Sequence, residues 1–442
     1  MTWLVGCEGE LRFDDQGTGT EPPEFDTVAD GEEAVVTGVL EVAQADNFFI
    51  EDEPATWREY TLLVGELRVR LDSASLIDPS LRTGAVIRAR GLRRGSALEI
   101  LPTLGDEALK VLSEPILQEH LAPAEGVAAA YAPRKVALIL FNFRNNATQP
   151  YTPAAARGAL YTDATSVTAL FREQSFDQMG FIGKVNQGGD VYGWFTIDAD
   201  NTGCDQGRWS DMARDKATAA GFQATGYDHI MYVFPQATGC RWAGLGHING
   251  PITWIHATYG IDLFLNVAAH ELGHNVGWHH ASTYRCTGAS GAAVSISDTC
   301  SATEYGDPFD IMGYASRSRY RHTNIFNKGR RGWLSASNML TVTSSGDYTI
   351  APMESASGQV QLLRIAGGRD GNGNQLYYYV EFRQPVGMDT FAPTSPVVNG
   401  VSIRLAPELN QVSQTKLIDA TPETGSFDDA PLLSGRTVTD ST

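Results

Sequence analysis

Residues His270-Glu271-Leu272-Gly273-His274-Asn275-Val276-Gly277-Trp278-His279-His280 set three imidazoles and one carboxylate at the spacing a hydrolytic zinc site needs. On a helix, His270 and His274 lie one turn apart on one face, so both can direct a ring nitrogen at one ion. Glu271 sits one residue round from the first ligand, where its carboxylate reaches a water at that ion as general base. Gly277 can adopt positive φ, which ends the helix and swings the chain back. His280 then arrives as a third ligand and leaves the fourth position for water, as a catalytic zinc site requires. His279 is its neighbour, because the spacing from Gly277 selects His280.

Downstream, Gly306-Asp307-Pro308-Phe309-Asp310-Ile311-Met312-Gly313-Tyr314 puts a methionine in a tight turn. Being flexible, polarizable and apolar, methionine suits a floor beneath a metal that it does not ligate. A full HExxHxxGxxH string followed by such a Met-turn is the metzincin signature. Within that group the chain resembles the gametolysin-like (autolysin-like) metallopeptidases. The resemblance rests on HELGHNVGWHHAS (270–282), YGDPFDIMGY (305–314) and the order of segments around them, and spans about residues 130–440.

The resemblance implies a secreted, zinc-dependent endopeptidase with an N-terminal pro-region, acting on extracellular or cell-wall protein. It implies Met312 as the Met-turn residue. Tyr314 falls where astacin-like and serralysin-like metzincins place a tyrosine that approaches the zinc, as transition-state stabiliser or fifth ligand. It also implies that Gly244, Leu245 and Gly246, just before the zinc helix, form an edge strand that takes an extended peptide by β-augmentation. Two other functions compete: an adhesin without catalysis, against which Glu271 argues, and a zinc hydrolase of non-protein amides.

The rest of the chain must carry and position this site. Its 442 residues allow two or three domains, and a net charge of −19 makes nucleic acid an unsuitable partner. No run of eighteen apolar residues exists, so the sequence offers no membrane span. The expected fold class is a multi-domain α+β protein. A polar leader (1–30) precedes a small antiparallel β-barrel of OB type (31–121), read as the pro-domain from short alternating strands such as Val35–Val42 and Ala85–Leu92. A small-residue linker (122–133) follows, where a maturation cut would fall.

The catalytic domain (134–340) then opens with the buried apolar strand Val136–Phe141. It continues through helices at about 164–174 and 210–220, the strand His229–Phe234 and the zinc helix at about 262–277, an α/β pattern. A C-terminal β-sandwich-like region (341–442) completes the chain and reads as cut short. Asp370–Asn374 imitates the start of a calcium loop, but a hairpin turn fits it better. Arg317, Arg319, Arg321, Lys328, Arg330 and Arg331 form a basic cluster, read as a solvated face or as a positive wall beside the cleft.

Five cysteines complete the reading. Cys204, Cys240, Cys286 and Cys300 fall in the catalytic region, and an even set in an exported protein suggests two disulfides. Of three pairings, Cys286 with Cys300 is favoured because it staples the loop between His280 and Met312, leaving Cys204 with Cys240. Leu4-Val5-Gly6-Cys7 resembles a bacterial lipobox, which would put a lipid anchor on Cys7 and the protein at a cell surface. Only three residues precede that match, too few for a signal peptide, so either the start lies upstream or the match is accidental.

Overall fold

The computed structural model describes residues 24–47, 56–65, 67–72, 77, 81–114, 131–257, 260–313, 320–411 and 413–440. Cys7, most of the 122–133 linker, Tyr314, Arg317 and Arg319 lie outside the described residues.

The N-terminal strands are β1 (Glu33–Asp46), β2 (Thr56–Val64), β3 (Leu67–Asp72), β4 (Val86–Arg94) and β5 (Ala97–Glu99). They close a five-stranded barrel in the order β1-β2-β3-β5-β4-β1, and β6 (Leu109–Ser113) pairs on β4. Alternate residues point inward as a pleated strand requires: Val69 and Leu71, Ile87 and Ala89 are buried with Leu40, Leu62 and Leu98. One pair, β3 with β5, is parallel, a departure from the purely antiparallel barrel expected. The leader also ends earlier than expected. Phe25 and Val28 are buried in the barrel core, with the Arg93 guanidinium over the Phe25 ring.

The central part runs β7 (Arg134–Phe143), α1 (Pro153–Arg157), α2 (Val167–Gln174), β8 (Phe181–Ile182) and β9 (Asp190–Ile197). After these come α3 (Gln206–Ala219), β10 (His229–Phe234), β11 (Gly244–His247), β12 (Ile252–His256) and α4 (Gly260–Asn275). β7 lies between β9 and β10, parallel to both, and β12 is parallel to β10. β11 runs antiparallel to β12. Every residue from Val136 to Phe143 is buried because both faces of β7 are covered. Val136, Leu138 and Leu140 pack with residues of α2 and α4, while Ile139, Phe141 and Phe143 pack with residues of α3. α2 begins three residues later than the apolar pattern suggested, because the Ser166 hydroxyl accepts from the Ala169 amide and caps it there.

The remaining elements are β13 (Ala281–Thr287), β14 (Ala293–Val294), β15 (Cys300–Thr303), α5 (Ile325–Arg330), β16 (Met339–Val342) and β17 (Leu362–Arg369). The chain ends through β18 (Gln375–Phe382), α6 (Pro396–Asn399), β19 (Gly400–Ala406), β20 (Thr415–Ile418) and β21 (Leu432–Leu433). All nine strands join one sheet, with β13 parallel to β20. The C-terminal strands therefore form no separate sandwich. They extend a sheet begun directly after His280. Asp370–Asn374 turns the β17–β18 hairpin, its Asp370 carboxylate accepting the Asn372 and Asn374 amides. Cys204 is bonded to Cys240 and Cys286 to Cys300.

Candidate metal centre and active site

α4 carries His270 and His274 on one buried face, and His280 comes in from the turn that follows it. Gly277 holds φ +90° in that turn. Each imidazole has its outer nitrogen fixed by an oxygen. His270 Nδ1 donates to Ile311 O at 2.8 Å, His274 Nδ1 to Trp278 O at 2.9 Å, and His280 Nδ1 to Glu304 Oε1 at 2.6 Å. A proton held on Nδ1 leaves each neutral ring with an acceptor-only Nε2. Those Nε2 atoms converge: His274 and His280 bring theirs to 3.2 Å of each other.

Two lone pairs facing each other at that range repel unless a cation lies between them. Tetrahedral zinc with nitrogen bonds of 2.0–2.1 Å would separate its ligands by about 3.3 Å, so the donor set fits the metal. Burial disfavours a charged His280, yet the Asp46 and Glu304 carboxylates outweigh it and hold its pKa up at about 9. His274 goes the other way, lowered to about 4, because burial there outweighs the Asp46 charge.

Glu271 is wholly buried one position round from His270, with the Asp46 carboxyl next to it. Burial, with the Asp46 charge beside it, raises its pKa well above the usual carboxylate range. Glycine at 244 and 246 is what admits this side chain: a Cβ on either would run into the Glu271 carboxylate. Met312 lies wholly buried under the helix, its sulfur so close to Gly273 that a Cβ there would stand 2.5 Å away. Its own amide donates to Asp310 Oδ1 at 2.8 Å, and its carbonyl accepts the Ala281 amide at 2.8 Å, directly after His280.

The basic cluster is neither a solvated face nor a cleft wall at its described positions. Arg330 and Arg331 donate to Gly277 O and Val276 O, capping the carbonyl end of α4. Lys328 is fully buried, donating to Met353 O at 2.8 Å, and Arg321 donates to Thr390. Arg404 and Arg383, which no sequence pattern marked, are buried with Asp307, Glu381 and Asp389 and brace the loop that leads into Met312.

Three further residues were not legible as site residues. Asp46, at the end of β1, directs Oδ2 at His274 Nε2 (3.1 Å) and His270 Nε2 (3.3 Å), and Oδ1 at His280 Nε2 (3.1 Å). Tyr314 lies outside the described residues, and Tyr305 stands beside the three histidines. Its ring centroid is 4.0 Å from that of His280, and its hydroxyl donates to Asp46 Oδ1. Glu304 orients His280. The expected substrate edge, Gly244–Gly246, is not an edge in this state: β1 pairs along it antiparallel, with Ala45 opposite Leu245 and Asp46 opposite Gly244.

The gametolysin peptidase M11 family profile matches residues 162–392, a span that holds the three histidines, Glu271 and Met312. Karilysin of Tannerella forsythia is 33% identical over 122 residues, 25% of this chain. The chain thus spans about a quarter (26%) of that relative's length. Among solved structures, wild-type OgpA of Akkermansia muciniphila aligns with 59% of this chain and 75% of its own, at 11% identity and a TM-score of 0.32. With the family profile covering more than half of its residues, the chain belongs to the gametolysin peptidase M11 family.

Proposed function

We propose that this protein is a zinc-dependent metalloendopeptidase, exported to the extracellular space or a cell surface, that hydrolyses peptide bonds of extracellular or cell-wall proteins. The supporting observation is the convergence of three Nε2 atoms, each with its Nδ1 committed to an oxygen, beside the wholly buried carboxyl of Glu271. His270, His274 and His280 would hold the ion. Zinc, when bound there, supplies Lewis acidity that makes water a nucleophile near neutral pH and polarises a carbonyl.

Glu271 takes the proton from the attacking water and returns it to the leaving amine, a role its position next to His270 suits. The outer edge of β11 binds the substrate backbone as an added strand, once that edge is open. Both disulfides suit an oxidising compartment, and among the described residues no helix is long and apolar enough to cross a membrane.

The test is hydrolysis of a fluorogenic casein by the chain before and after limited proteolysis within residues 115–130. Chelation should abolish the activity and zinc should restore it. Chelator-insensitive hydrolysis, or none in either form, would sink the reading.

A further inference from the structure

We infer that the N-terminal barrel is a latch: Asp46 takes the fourth position at the metal while β1 lies along β11 in the place of an extended substrate. This rests on the zinc peptidase reading and deepens it by naming the group that closes the site. Four observations carry it.

The Asp46 carboxylate and the three histidine nitrogens all lie within 4.8 Å of one another, and all four residues are buried. Three imidazoles leave a catalytic zinc one open position; a fourth protein ligand makes the site a closed, structural one.

Asp46 itself is wholly buried, and among the described residues the basic side chains it meets are the three imidazoles. A buried carboxylate without a guanidinium or ammonium partner is expensive unless it faces a cation. The metal is that cation. Tyr305 and Thr56 donate to Oδ1, Thr56 at 3.4 Å, so the carboxylate is also fixed in direction.

The strand that delivers Asp46 does what a bound peptide would do. β1 pairs antiparallel with β11 over Ala43–Asp46, and the Ala243 amide donates to Asp46 O at 2.7 Å. Ala43 and Ala45 of that strand bury in the core that holds Leu245 and Trp254, while Leu40 and Val42 stay in the barrel core. A substrate running in the same direction would lay the residues before its scissile bond on β11.

Contacts away from the metal hold the barrel in that pose. Ile248 buries in the barrel core, Gln206 Nε2 donates to Glu59 Oε2 at 2.7 Å, and an Arg58 nitrogen lies 3.3 Å from His279 Nδ1. Release of the barrel uncovers the fourth position and the β11 edge together. One event therefore opens both the chemistry and the substrate path.

The test uses the uncut full chain loaded with Co(II), as wild type, Asp46→Asn and Asp46→Ala. Visible absorption reports the coordination shell, and acetohydroxamate is the probe ligand. The wild-type spectrum should resist acetohydroxamate. Both variants should show an altered spectrum and bind it about 10- to 100-fold more tightly, the range of an ordinary coupling between two sites. Their hydrolysis of casein without cleavage of the chain should rise by a similar factor. Asp46→Asn is nearly isosteric, so it decides if Asp46→Ala folds poorly.

A wild-type spectrum that shifts at the same acetohydroxamate concentration as the variants overturns the latch. If the spectra and affinities depend on Asp46 but no form cuts casein, the latch stands and the peptidase reading fails. Equal casein hydrolysis with equal spectra fails the latch alone.

Discussion

His280 Nδ1 stands 2.6 Å from Glu304 Oε1, and the same oxygen accepts from Gln414 Nε2 at 2.6 Å. The proposed third ligand is thus aimed by a carboxylate that is itself tied to the segment just before β20. An imidazole anchored this way keeps its proton on Nδ1 and its lone pair toward the ion. Loss of such an orienting partner typically costs 10–100-fold in metal affinity. Glu304→Ala should weaken zinc binding by about that factor, read by competition with a chromophoric chelator, while thermal unfolding of the metal-free protein changes little. Unchanged affinity would show that Met312 and the α4 turn position His280 unaided.

Glu271→Ala removes the proposed general base and none of the three ligands. In the Asp46→Ala background, where the fourth position is open, it should still bind one zinc per chain. Casein hydrolysis should fall by about 10²–10⁴-fold, the usual weight of a positioned base. Atomic absorption showing no zinc in the variant, or turnover near the parent, would remove Glu271 from that role.

The parts of this site that the sequence disclosed are those set by local geometry. His270, Glu271, His274 and His280 lie within eleven residues, and helical periodicity alone puts the first two ligands on one face. Met312 was found the same way, by its turn. Asp46 lies 228 residues before His274, on a strand whose alternation only announces a barrel. Nothing in that pattern says where the strand will dock. Glu304 and Tyr305 also gave no signal, since their roles arise from β15 pairing on β13.

The sheet was similarly half-visible: the buried run at 136–141 gave β7, but the union of β13 with β20 is a long-range parallel pairing that no local signal predicts. The arginines were misread for a physical reason. Charge suggests solvent, yet Arg330 and Arg331 end on the carbonyls that terminate α4, where a guanidinium satisfies acceptors a helix leaves open.

Acid should unfold this protein through buried histidines outside the proposed ligand set. Burial lowers the pKa of His229 to about 4, and of His247 and His256 to about 3. An unfolded histidine titrates near 6.5, so each takes up a proton on unfolding below that pH. Their contribution is intact above pH 6.5 and is lost as pH falls toward 4 and 3, at about 1.4 kcal/mol per pH unit for each ring. His256 stacks on Trp242 with centroids 4.4 Å apart, so His256→Phe keeps an aromatic partner and removes the titration. Urea unfolding at intervals from pH 6.5 to 4.5 should show a slope reduced by about one proton in the variant. Parallel slopes would mean that His256 is not buried neutral.

Cys286 and Cys300 face each other across β13 and β15, and Glu304 follows β15 directly. The bond therefore clamps the hairpin whose one end leaves His280 and whose other end delivers the carboxylate that aims it. Closing a loop of this length restricts the unfolded chain by about 3 kcal/mol in the chain-entropy model, and here the same constraint acts on a metal ligand's support. Reductant should speed zinc loss to a chelator several-fold at a temperature where the fold persists. Because reductant also opens Cys204–Cys240, the Cys286→Ser/Cys300→Ser double variant separates the two. It should lose zinc as fast as the reduced wild type and gain nothing further on reduction. A double variant that keeps the wild-type rate would mean that the β13–β15 backbone pairing holds Glu304 without the bond. Four free thiols in protein isolated from an oxidising compartment would refute both pairings, and with them the support that disulfides lend to export.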